Sequence, residues 1–97
     1  MAIVGGYNVY PREIDEVLYA HPAIREAAAI GVPDDYRGEV IKAYVVLNPG
    51  AETTPDELLN HCRGNLAKYK APVSIEFLTE IPKTTVGKID KKALRGG

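Results

Sequence analysis

Val40-Ile41-Lys42-Ala43-Tyr44-Val45-Val46-Leu47 is the most strongly patterned segment of the chain, and Asn48-Pro49-Gly50 closes it with turn residues. The near-continuous apolar run from Ala43 to Leu47 is the signature of a central strand covered on both faces. Periodicity alone also allows a buried helix turn, and the β-branched content decides for a strand. Upstream, Ile24 to Val32 is short, rich in Ala and Ile, and closed by Pro33-Asp34-Asp35, so it reads as a second strand. Downstream, Ser74 to Leu78 reads as a third.

Two helices belong between and before these strands. Thr54-Pro55-Asp56-Glu57 combines a Thr N-cap, Pro at the next position and an acid three residues after the cap, a capping-box pattern. Leu58, Leu59, Cys62 and Leu66 then form an apolar stripe, Gly64 is a tolerated weakness, and Ala71-Pro72 is the expected stop. Near the start, Ile3-Val4 turns at Gly5-Gly6 and resumes at Tyr7-Asn8-Val9. Pro11 opens a helix whose first turns carry Glu13, Asp15 and Glu16, with Ile14, Val17, Leu18 and His21 on one face and Pro22 as terminator. After Pro82, the run Lys83 to Lys88 is polar and turn-like, and a brief helical stretch follows from Asp90 to about Leu94. The fold class is therefore α+β. A small sheet of three strands, mixed or antiparallel, packs against two main helices, with short hairpins near both ends.

Ninety-seven residues, 45% hydrophobic and 26% charged, fit one domain spanning residues 1–97. Folding should bury about two-thirds of the unfolded surface, which suffices for one core but not for a deep two-walled cleft. A net charge of -1 removes the long-range force for nucleic acid or anionic membranes, so neither is an expected partner. Cys62 is the only cysteine and His21 and His61 the only histidines, so no internal disulfide and no zinc shell of usual spacing can be assembled. No apolar run reaches a membrane span's length of roughly 20 residues, and no signal-peptide pattern opens the chain; a cytoplasmic location is the expectation.

Several apparent motifs fail on spacing. Gly87-Lys88 lacks the Gly and Ser/Thr that a phosphate-cradling loop needs, because Pro82 and Ile89 stand there. Arg37-Gly38 with Ala43-Tyr44-Val45 lacks the stacking aromatics of an RNA-recognition signature. His61 and Cys62 are neighbours on a helix and point about 100° apart, so they make no nucleophile pair, and Cys62 reads as core.

Four motifs together are informative. Gly5-Gly6-Tyr7-Asn8-Val9-Tyr10-Pro11-Arg12-Glu13-Ile14, Pro33-Asp34 through Gly38-Glu39, Leu66-Ala67-Lys68-Tyr69-Lys70-Ala71-Pro72, and Pro82 through Gly87-Lys88-Ile89 with Leu94-Arg95 stand in this order. In order and spacing the chain resembles the C-terminal domain of acyl-CoA synthetases. That family belongs to the adenylate-forming superfamily, which also holds luciferases and peptide-synthetase adenylation domains. The resemblance spans nearly the whole chain. In the family a large N-terminal domain and an acidic hinge precede this one, so the chain is expected to be an excised part of a longer enzyme. Lys91 stands where the family often has Arg, which keeps the charge but loses the bidentate fork.

The resemblance implies a parent that ligates a carboxylic acid to CoA through an acyl-adenylate, with ATP and Mg²⁺ bound mainly by the large domain and none of the three expected on the isolated domain. It implies that Lys88 enters the active site and contacts the carboxylate and the α-phosphate. A flexible ammonium suits that task, since two anions must approach each other. Acylation of Lys88, as at the family's regulatory lysine, would remove the charge. Gly5, Gly6 and Tyr7 would border the tunnel for pantetheine, carried by CoA or by a carrier protein. A plain hairpin turn with positive φ is the competing explanation of the two glycines and is compatible with that role. Glu13 fits a helix start better than a catalytic acid, and Lys68-Tyr69-Lys70 could meet the nucleotide end of CoA, though a helix C-terminus favours lysine anyway. The competing reading is a non-catalytic interaction or regulatory module on the same scaffold, which would have no need of Lys88.

Overall fold

The structure, a computed structural model, describes residues 2–67 and 70–94. Its elements run β1 (Ala2–Val4), β2 (Tyr7–Val9), α1 (Pro11–Tyr19), β3 (Ile24–Asp34), β4 (Gly38–Leu47), α2 (Pro55–Asn65), β5 (Ser74–Phe77) and α3 (Lys91–Leu94). The α+β class is as read from the sequence.

β4 is the axis of the sheet. It pairs antiparallel with β3 over its whole length, from Ile24↔Leu47 to Asp34↔Gly38. On its other edge it meets β1 at Gly38 and runs parallel to β5 from Lys42↔Ser74 to Val45↔Phe77. The sheet is therefore mixed. Strand alternation sends Ile41, Ala43 and Val45 to one face, where they join Ile14 and Leu18 of α1 and Leu58 and Cys62 of α2 in the main core. Val46 and Ala28 point to the opposite face and pack with Ile81, Leu78, Ile89 and Leu94. Both faces of β4 are covered, which is why its sequence shows a run rather than an alternation.

The strand count and the end of α2 differ from expectation. The N-terminal hairpin is not a satellite: β1 hydrogen-bonds into the sheet, so the strands number five, in the order β2-β1-β4-β3 with β5 on β4. Gly31 makes room for it, because a Cβ there would stand 2.8 Å from Ala2 Cβ and 2.9 Å from Glu39 Oε2, and Glu39 Oε1 accepts the Ile3 N–H at 3.1 Å. The second difference is at α2, which stops at Asn65 rather than at Ala71-Pro72. Asn65 Nδ2 donates to the His61 carbonyl at 2.8 Å, and Leu66 turns extended to pack on the core. Lys68 and Tyr69 lie outside the described residues. Lys70 follows the helix instead of ending it, so a helix C-terminus does not account for it. Its Nζ stands 3.0 Å from Glu13 Oε2, an ion pair short of an aligned hydrogen bond.

Local details follow the sequence closely. Thr54 Oγ1 accepts the Glu57 N–H at 3.2 Å, and the Glu57 carboxylate takes its bond from the hydroxyl of Thr53 at 2.7 Å. Pro11 opens α1 with Glu13 in the first turn. Pro33 lies inside β3 rather than after it, which an edge strand tolerates.

Cys62 is fully buried, and burial pushes its thiol up from 9.0 to about 11. Alkylation by iodoacetamide at pH 8 should thus be at least about 100-fold slower in the native chain than in urea, and equal rates would contradict this packing. The sign for stability follows from the raised value. The contribution is complete below the unfolded thiol's range and is lost as pH rises through 9 toward 11.

Candidate functional site

Lys88 sits in a hairpin of its own. Lys83 and Ile89 form an antiparallel bridge. Thr84 N–H donates to the Lys88 carbonyl at 2.7 Å, Gly87 N–H to the Thr84 carbonyl at 2.9 Å, and Asp90 N–H to the Pro82 carbonyl at 2.8 Å. Thr84 Oγ1 also accepts the Lys88 N–H at 3.3 Å. Gly87 adopts φ 84°, a left-handed conformation that lets the chain reverse just before the lysine. Ile81 and Ile89 anchor the base of the hairpin on Ala28 and Val46, while Val86 at the tip is 77% exposed. Lys88 is exposed, and among the described residues its ammonium makes no ion pair. An uncommitted cation held by a tight backbone reversal can enter another surface without first breaking a contact.

The glycine turn lies elsewhere. Gly5 has φ 55° and Gly6 φ 85°, the values of a type I′ hairpin turn, and open space surrounds the position of a Cβ at each. Gly5 N–H donates to the Arg37 carbonyl at 3.0 Å, which draws the β3–β4 turn beside it. Asp34 supports that second turn by accepting the N–H groups of Tyr36 and Arg37 at 3.1 and 2.9 Å.

Gly5 and Tyr7 together line an open groove of about 560 Å³, with Arg37, Arg63 and Pro72 among its other walls. Gly6 is at the turn but does not line the groove, and neither does Lys88. The two arginines were not singled out from the sequence as site residues. They are 26 positions apart, and each reads in isolation as a solvated surface charge; only the pairing of β1 with β4 and the end of α2 bring them to one cavity. The groove thus has Gly5 and Tyr7 together with two cationic residues in its lining, a set able to take an anionic group. Among the described residues no three His, Cys, Asp or Glu side chains converge as a metal shell requires, and no helix is long and apolar enough to cross a membrane.

Comparison with known proteins adds to this geometry. The AMP-binding enzyme C-terminal domain family matches residues 13–88. The long-chain-fatty-acid–CoA ligase of Bacillus subtilis is 54% identical over 92 residues, covering 95% of this chain and 16% of that protein. The crystal structure of Brucella canis acyl-CoA synthetase superposes with a TM-score of 0.91 at 42% identity, covering 98% of this chain and 18% of that one. The amide bond synthetase McbA from Marinactinospora thermotolerans superposes with a TM-score of 0.94 at 42% identity, covering 98% and 19%. This chain thus spans 16% to 19% of the length of these relatives. With residues 13–88 matched by that family and nearly the whole chain superposing on the structures of such enzymes, the chain belongs to the AMP-binding enzyme C-terminal domains.

Proposed function

We propose that this chain is the mobile C-terminal domain of an ATP-dependent acyl-CoA ligase and supplies, on separate surfaces, the lysine for acyl-adenylate formation and part of the path for the pantetheine thiol. The observation that carries the reading is the exposed, uncommitted Lys88 at a Gly87-reversed hairpin, in a chain similar to fatty-acid–CoA ligases. In the first step a carboxylate oxygen attacks the α-phosphorus of ATP and pyrophosphate leaves. Lys88 Nζ lies against the carboxylate and the α-phosphate and offsets the negative charge that crowds there. The large domain of the parent would hold Mg²⁺, which would supply charge neutralisation at the phosphates, and no residue of this chain is assigned to it. In the second step the thiol sulfur attacks the acyl carbonyl and AMP leaves, with the pantetheine arm passing the Gly5-Gly6 turn and Tyr7.

Lys88 does not line the groove, and a rotation of the domain between the two steps would bring each in turn to the large domain. An amide bond synthetase among the structural relatives raises an amine as an alternative acceptor. Arg37 and Arg63 in the groove favour an acceptor that carries phosphate, which a simple amine lacks. A purely regulatory module would leave Lys88 and the groove without a task.

The reading requires both domains. The purified 97-residue chain should release no acid-dependent pyrophosphate from ATP above buffer, and the full-length parent should form AMP in proportion to acid and CoA. Turnover by the 97-residue chain alone, or a parent whose AMP formation ignores CoA, would overturn it.

A further inference from the structure

The Lys88 hairpin has two legs, and an ion pair ties each to the body of the domain. On the leading leg, Lys83 Nζ stands 2.7 Å from Glu26 Oε1 of β3. Beyond the trailing leg, Lys91 Nζ stands 2.8 Å from Asp15 Oδ2 of α1. The second pair is held in advance of the lysine: Asp15 Oδ1 accepts the Ala29 N–H of β3 at 2.6 Å, and only 16% of the Asp15 side chain is exposed. One carboxylate therefore joins three elements, carried by α1, oriented by β3 and bonded to α3.

These contacts act locally rather than on the whole fold: their lysine ends are partly exposed, which limits their contribution to global stability, while Asp15 is mostly buried and also holds the Ala29 N–H. The segment is already held by Ile81, Ile89 and Leu94 against Ala28 and Val46. Apolar contact is non-directional, however, and leaves the hairpin free to pivot about that cluster. On one side a short charge-assisted hydrogen bond from Lys91 to Asp15 fixes direction as well as distance, and on the other the Lys83–Glu26 ion pair limits distance.

We propose that Lys91 and Asp15, backed by Lys83 and Glu26, are positioning residues that set the direction in which the hairpin presents Lys88, and so act on adenylate formation through Lys88 without touching substrate. The inference rests on the role assigned to Lys88 above. A misplacement of about 1 Å at a reacting centre costs on the order of 100-fold, so a pivoting hairpin is a kinetic defect even where the fold is intact.

The test uses the full-length parent. Lys91→Met keeps an unbranched stem and removes the charge. It should lower kcat for adenylate formation about 10- to 100-fold and change KM for ATP by less than about threefold. Thioester formation from supplied acyl-adenylate should stay within about twofold, and Lys91→Arg should restore adenylation to within about threefold. Asp15→Asn should reproduce the loss, and the double variant should be no worse than either single one. Independently of Lys88 chemistry, amide exchange in the peptide covering 82–90 should speed up at least about tenfold in Lys91→Met, while β3 and β4 peptides stay unchanged. Unchanged exchange, unchanged kcat, or parallel loss of both half-reactions with a falling Tm would each overturn the inference. Lys88→Ala in the same assays separates the two claims. If it spares adenylation, the role of Lys88 fails and this inference falls with it. If it abolishes adenylation and Lys91→Met does not reduce it, this inference alone is overturned.

Discussion

Lys88→Ala in the full-length parent should lower the rate of acyl-adenylate formation by about three orders of magnitude, while thioester formation from preformed acyl-adenylate changes by no more than about fivefold. The asymmetry comes from when charge develops. Carboxylate and α-phosphate crowd together only in the first step, and a localised ammonium is worth most where water is excluded and a second anion approaches. Alanine at position 88 should also leave the fold intact, because the side chain is exposed, and the hairpin bonds at Lys88 use its backbone N–H and carbonyl rather than its ammonium. Measuring pyrophosphate release and CoA-dependent AMP release separately checks this. Equal losses in both half-reactions would remove the assignment.

Gly5→Leu should give the mirror image, with adenylation within about threefold of the parent and CoA transfer reduced at least about 100-fold. Gly5 lines the groove, and open space surrounds the position of a Cβ there, so leucine would add bulk at the groove's edge with room for its first side-chain atom. The positive φ of 55° adds a separate backbone cost of roughly 1–2 kcal/mol for any Cβ-bearing residue. Gly5→Ala carries most of that strain with little bulk, so it should lower Tm about as much as leucine and keep most of the transfer rate. Gly6→Leu tests the neighbouring glycine. It bears a similar strain at φ 85° but does not line the groove, so its effect on transfer should be smaller. Transfer rates that track Tm across all three variants would refute a passage at this turn.

How much of this was legible in advance depended on the range of the forces involved. The Thr54 N-cap, Pro11 at the start of α1, the type I′ turn at Gly5-Gly6 and the reversal at Gly87 are local. Their residues restrict φ or supply a hydrogen bond within a few positions, so the sequence alone determined them. The central role of β4 was legible for a related reason, since a strand buried on both faces must be apolar throughout.

What the tertiary structure alone decided lies in pairings between distant residues. The entry of β1 into the sheet depends on Gly31 leaving space for Ala2 and Glu39, and nothing in a linear reading says that Gly31 faces them. The end of α2 at Asn65 depends on Leu66 turning into a core that only exists once the sheet has formed. Arg37 and Arg63 become groove walls, and Asp15 becomes the partner of Lys91, 76 positions away, through packing of helices on strands. Charged side chains on a surface carry no periodic signal of their partners. Sequence therefore marked where Lys88 and the glycine turn are, while packing determined what stands beside them.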